Sequence, residues 1–169
     1  MSEPTLAPNQ VRSPDIRRLL EYWNARASGR AFPAKRDIDP AEIRSCLPYL
    51  TLSELHHDPL RVRYRLVGTE VVWLRGGDVT GRWLHEIDAW GRANIARFTD
   101  CYAEVAAGRT LLGVTDTLWV NGQERAYEWI MLPLSEDGRS VTHCLEMEDP
   151  RWGRDHRDAS GGVRPTTSK

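Results

Sequence analysis

"YLTLSELHHDPLRVRYRLV", Tyr49 to Val67, is where the apolar period of this 169-residue chain changes from helical to alternating, and that change decides the class of fold. Val62, Tyr64 and Leu66 alternate with Arg61, Arg63 and Arg65, which gives one apolar and one cationic side, as a strand with one buried face requires. "YLTLSEL" has the same short period, and "HHDP" between the two runs is turn chemistry. The stretch predicts a β-hairpin.

On the N-terminal side the period is helical. Ser13 can cap a helix that opens with Pro14 and Asp15 and places Ile16, Leu19, Leu20, Trp23 and Ala27 on one face, with Gly29 to stop it. "DPAE" predicts a second, short helix, with Asp39 as cap, Pro40 at its first position and Glu42 reaching back, ending near Pro48. On the C-terminal side Gly68 breaks the hairpin, and Thr69 to about Arg75 reads as a short helix. Asp88 can cap a long helix with Ile95, Phe98, Tyr102 and Val105 on one face and Gly108 beyond its end. Three strands follow, at roughly 110–120, 123–134 and 139–148, joined by "NG" at Asn121 and Gly122 and by "SEDG".

A hairpin, a helical crossover and three meandering strands predict an α+β fold: a five-stranded antiparallel sheet with helices on one face and an N-terminal amphipathic helix. In the strand at 123–134, Glu128 marks one face as solvent-facing, yet Ile130, Leu132 and Leu134 continue that face with apolar groups. Both sides of the strand's end must then be covered. The stripe of Ile16, Leu19, Leu20 and Trp23 is the available cover, either over its own sheet or as the interface of a homodimer.

"GGDVTGRW", Gly76 to Trp83, has the outline of a phosphate-cradling loop. However, Arg82 replaces the Lys, Trp83 stands where the Mg²⁺-binding hydroxyl belongs, and no parallel strand leads into it. It reads as a turn that returns Trp83 and Leu84 to the core. "HEIDA", His85 to Ala89, lacks the second His that a zinc site needs.

Lys plus Arg is 23 against 24 for Asp plus Glu, so there is no global field to hold nucleic acid or an anionic membrane. No apolar run approaches a membrane span and the first residues lack a secretory pattern, which leads to the expectation of a cytoplasmic protein. Cys46, Cys101 and Cys144 read as reduced core thiols. Residues 1–12 and 150–169 are polar and are expected to be disordered around one domain at 13–149.

Four stretches, "LLEYWNARASGRAFPAKRDIDPAEI", "RYRLVGTEVV", "DVTGRWLHEI" and "EWIMLPLSEDG", resemble in order the landmarks of the small single-domain PAS-like proteins of alphaproteobacteria. The similarity covers about residues 14–148. It implies sheet order 2-1-5-4-3, a pocket between sheet and crossover helices, and a sensory or protein-interaction role. Haem-binding members of that family usually carry a His on the long helix, and Asp88 to Gly108 has none. Their flavin-binding relatives use an Asn-Cys-Arg motif, which is missing, so no cofactor is expected.

In that arrangement Tyr64, Trp73, Phe98, Tyr127 and Trp129 would surround the volume between sheet and helices, either as an apolar pocket with two phenol handles or as plain core. The stripe of Arg61, Arg63 and Arg65 could grip an acidic partner or guard a sheet edge. Asp116, in mid-strand, either faces the interior or is turned to solvent by strand twist. No catalytic motif is evident, so the expectation is a regulatory module with protein partners and a small apolar or aromatic ligand. The alternatives are a small cone-shaped isomerase or hydrolase using Asp116 or His143 as base, and a ligand-free adaptor.

Overall fold

The structure, a computed structural model, describes residues 6–120 and 123–151, and side chains outside 116–126. The predicted hairpin forms as β1 (Leu50–His56) and β2 (Arg61–Val67), followed by α2 (Thr69–Arg75) and α3 (Gly91–Ala106). Then come β3 (Leu111–Val120), β4 (Gln123–Leu134) and β5 (His143–Asp149). All five strands are antiparallel neighbours in the order β2-β1-β5-β4-β3. The turn expected at Asn121 and Gly122 lies outside the described residues.

The central strand β5 is covered on both faces. Cys144 faces the side of α2 and α3 with Tyr127, Trp129 and Met131 of β4, while Leu145 and Met147 share the other side with Ile130, Leu132 and Leu134. That second side is covered by α1 (Pro14–Ala27), whose Ile16 and Leu19 are fully buried. The helix starts as its sequence requires, with Ser13 Oγ accepting from Ile16 N at 3.2 Å and Pro14 at its first position. Trp23 Nε1 donates to Pro133 O at 2.9 Å and anchors the far end. The apolar stripe is thus satisfied within one chain, with Leu20 half-buried at its margin.

Several expectations are corrected. Glu128 is not solvent-facing: it is 1% exposed and accepts backbone N–H bonds from Arg12 and Ser13 at 2.7–3.1 Å. Residues 6–12 are not loose, because Leu6 N donates to Leu112 O of the edge strand β3 and Val11 is buried. Pro150 is buried as well, and Arg151 pairs with Asp149 and Asp15. Residues 152–169 lie outside the described residues. "DPAE" does not start an α-helix: residues 40–46 are successive turns, and Glu42 pairs with Arg26 of α1 instead of reaching back. Asp88 sits in a 3-10 turn, and α3 begins three residues later.

The alternation in β2 is interrupted. Leu52 pairs with Leu66 and Ser53 with Tyr64, so Arg65 is an extra residue and everything beyond it changes face. Leu66 is therefore 46% exposed instead of lying inside with Tyr64. The glycine loop is a turn as expected, but it also closes the edge of β2. Gly81 N donates to Tyr64 O at 2.7 Å and Tyr64 N to Arg82 O at 3.0 Å. Leu84 enters the core, whereas Trp83 stays half-buried beneath the guanidinium groups of Arg61 and Arg63, 4.9 and 5.7 Å from its ring. Two members of the arginine stripe are thus stacked on this loop, and the third, Arg65, lies 3.7 Å from Glu54.

Candidate functional site

Alternation along β5 turns Glu146 and Glu148 toward α2 and α3, into the core of the domain, where they are 6% and 2% exposed. Ionised carboxylates at such depth need partners. Arg75, the last residue of α2, supplies one: Nη2 lies 2.5 Å and Nε 3.2 Å from Glu148 Oε1. Its guanidinium is surrounded by the rings of Phe98, Trp90 and Tyr127, at 4.5, 5.4 and 5.9 Å from their centroids. Burial alone would lower the Arg75 pKa, but the Glu148 carboxylate holds it well above the ordinary value.

Glu146 is tied to α3. Tyr102 Oη donates to Glu146 Oε2 at 2.7 Å, and Ser53 Oγ of β1 lies 2.9 Å from the same phenol. Because Tyr102 donates to the carboxylate, Ser53 donates to Tyr102. Burial, reinforced by the neighbouring Glu148 carboxylate, pushes the Glu146 pKa up to about 7 from an ordinary 4.5. Burial and then the Glu146 charge raise Tyr102 and Tyr64 above the usual phenol range. The cluster therefore links α2, α3, β1 and β5 through buried charged and hydrogen-bonded groups.

Little open space remains around it. A cavity of about 20 Å³ is lined by Arg75, Phe98, Cys101, Trp129, Glu146 and Glu148 among others, and one of about 10 Å³ lies on the side of Tyr64, Val71 and Trp90. The larger has room for roughly one water molecule. Glu148 Oε2 and Trp129 Nε1 border it as buried polar atoms without a hydrogen-bond partner among the described residues.

Of the predicted pocket residues, Tyr64, Phe98, Tyr127 and Trp129 are brought together on this side of the sheet. Trp73 is not. It projects from the outer face of α2 at 45% exposure, because Val71 and Leu74 take the inner positions of a seven-residue helix. Sequence reasoning missed Arg75, Trp90, Glu146 and Glu148. The signal for the two carboxylates was "CLEMED", where acids alternate with Leu145 and Met147; read alone, that pattern describes a strand with one solvated face.

Of the two residues considered as catalytic bases, His143 does not join the cluster. His143 pairs in register with Leu134, on the face covered by α1, and its Nδ1 lies 3.0 Å from Thr142 Oγ1. The Asp116 side chain lies outside the described residues. Cys46 and Cys144 are buried thiols and Cys101 a half-buried one.

A family model described as PAS domain matches residues 11–146. Among solved structures, the chain is similar to the PAS domain from Bordetella pertussis BvgS, with 14% identity and a TM-score of 0.50 over 73% of this chain and 97% of that one. It is also similar to an RNA-binding light-oxygen-voltage receptor, with 17% identity and a TM-score of 0.47 over 76% of this chain; it spans only 40% of that receptor's length. No curated protein matches.

Proposed function

The chain belongs to the PAS domain family, and we propose that it is a cytoplasmic sensory module that reads a small ligand between the sheet and α2–α3 and reports through protein contacts. The observation that carries this is the buried Arg75–Glu148 pair, which joins the short helix α2 to the central strand β5 inside the domain. A change at that pair is felt at once by the outer surface of α2 and by the strand that organises the sheet. Because the centre of the interior is charged, its ligand is polar rather than the apolar or aromatic molecule expected from the aromatic residues alone. The stripe of α1 is buried against its own sheet, so it is not available as a homodimer interface. No helix of the described residues is long and apolar enough to cross a membrane.

A host strain carrying Glu148→Gln, with folding of the variant verified by its melting curve, tests the reading. Its transcript profile is expected to depart from wild type in the same genes as a deletion strain. A folded variant with a wild-type profile would remove the interior from any signalling role. A ligand-free adaptor is the second reading, supported by the small volume of the two cavities; native mass spectrometry that finds no bound small molecule under any growth condition would favour it.

A further inference from the structure

We infer that the interior of this domain is a recognition site for a guanidinium-type cation, and that Arg75 occupies it as a tethered stand-in whose displacement releases α2. The inference rests on the sensory reading above and adds the class of ligand.

Three aromatic rings, of Phe98, Trp90 and Tyr127, lie around the Arg75 guanidinium, and a carboxylate closes the site. Ring faces and carboxylates together favour an organic cation once water is excluded. The site also offers more than its occupant uses. Both contacts of Arg75 go to Glu148 Oε1, and Oε2 stays buried without a hydrogen-bond partner among the described residues. A free guanidinium is not held by a side chain from α2, so it can turn to engage both oxygens in the paired geometry that guanidinium and carboxylate prefer. Glu146 lines the same cavity as a second acid, with Arg97 as its second cation.

The cavities flanking Arg75 measure about 20 and about 10 Å³. Neither can hold a second guanidinium alongside the first, since each is near the size of a single water. Entry must therefore be by exchange. When Arg75 leaves, α2 keeps only Val71 and Leu74 as buried anchors, and the exposed Trp73 on the same helix moves with it. Ligand binding is thereby coupled to a change on the surface.

Methylguanidinium is the probe, with neutral methylurea as its shape control, applied to the full chain and to Arg75→Ala. In Arg75→Ala, methylguanidinium is expected to raise the melting temperature saturably and methylurea to leave it unchanged, with Glu148→Gln in the same background abolishing the rise. Affinity for Arg75→Ala should exceed that for wild type by at least about tenfold, because wild type must first expel its own guanidinium. In the wild-type chain, millimolar methylguanidinium should speed amide exchange across residues 69–75 and methylurea should not. Equal rescue by methylurea, or rescue by neither compound, overturns the inference. If Arg75→Ala does not fold, the wild-type exchange measurement decides alone: unchanged exchange at 69–75 overturns it. A protein indifferent to the cation whose Glu148→Gln allele still alters regulation would lose this inference and keep the sensory reading.

Discussion

Arg75 at the end of α2 and Glu148 on the central strand meet inside the domain with side chains only 8% and 3% exposed. They lie 73 residues apart in sequence. An ion pair so placed contributes little net stability against well-packed apolar residues, but removing one partner strands the other charge without solvent. This pair therefore positions α2 more than it strengthens the fold.

Glu148→Ala, or Arg75→Met alone, should each cost about 3–5 kcal/mol in urea denaturation, since each leaves a buried charge unpaired. Arg75→Met combined with Glu148→Leu should recover most of that loss. A double variant as unstable as the sum of the singles would show that the pair is not coupled.

Stability should fall as pH rises through the window set by Glu146. Its carboxyl keeps its proton up to about pH 7 in the folded protein against an ordinary 4.5. Between those values the folded state binds more protons than the unfolded one, so ionisation favours unfolding. Below the window both states are protonated and above it both are ionised, so this group adds no slope there. The loss across the window is on the order of 3 kcal/mol. Glu146→Gln should flatten that part of the curve, and parallel curves for the two proteins would refute the assignment.

Ser13→Ala should destabilise by about 2 kcal/mol. The hydroxyl caps Ile16 N and donates to Asp149 Oδ2 at 2.6 Å, so the variant loses a cap and removes one donor from a buried carboxylate. Thermal melts of Ser13→Ala and Ser13→Thr separate the hydroxyl from side-chain size; equal losses would count against the cap.

Gly113→Ala should be severe, because an added Cβ would sit 2.3 Å from Cζ2 of the Trp129 indole. Shortening the partner in Gly113→Ala/Trp129→Leu should restore part of the stability. By contrast Trp83→Ala should cost about 1 kcal/mol, since that ring is half-buried under arginines, while Leu84→Ala should cost about 2–5 kcal/mol. Comparable losses at Trp83 and Leu84 would contradict this placement of the loop.

A chain beginning at Pro33 should fail to give a soluble folded monomer. Without α1, the face carrying Ile130, Leu132, Leu145 and Met147 is bare. Light scattering and a melting curve check this, and a stable monomeric truncation would show that the cover is dispensable.

Local signals determined much of this protein. Ser13-Pro14-Asp15 and the stripe from Ile16 to Ala27 specify α1, the short period from Tyr49 specifies the hairpin, and the order of elements implies the sheet. These features depend on neighbours within a few residues, so they can be read along the chain. Only the tertiary structure decided what stands in the interior. Whether an acid at every second position of "CLEMED" meets water or protein depends on what covers β5, and helices from distant parts of the chain cover it on both faces. The same holds for Leu66, turned outward by one extra residue in β2, and for Trp73, displaced because Val71 and Leu74 occupy the buried side of α2. Burial is set by contacts between distant segments, and the alternation of a strand says which residues share a side but not which side is dry.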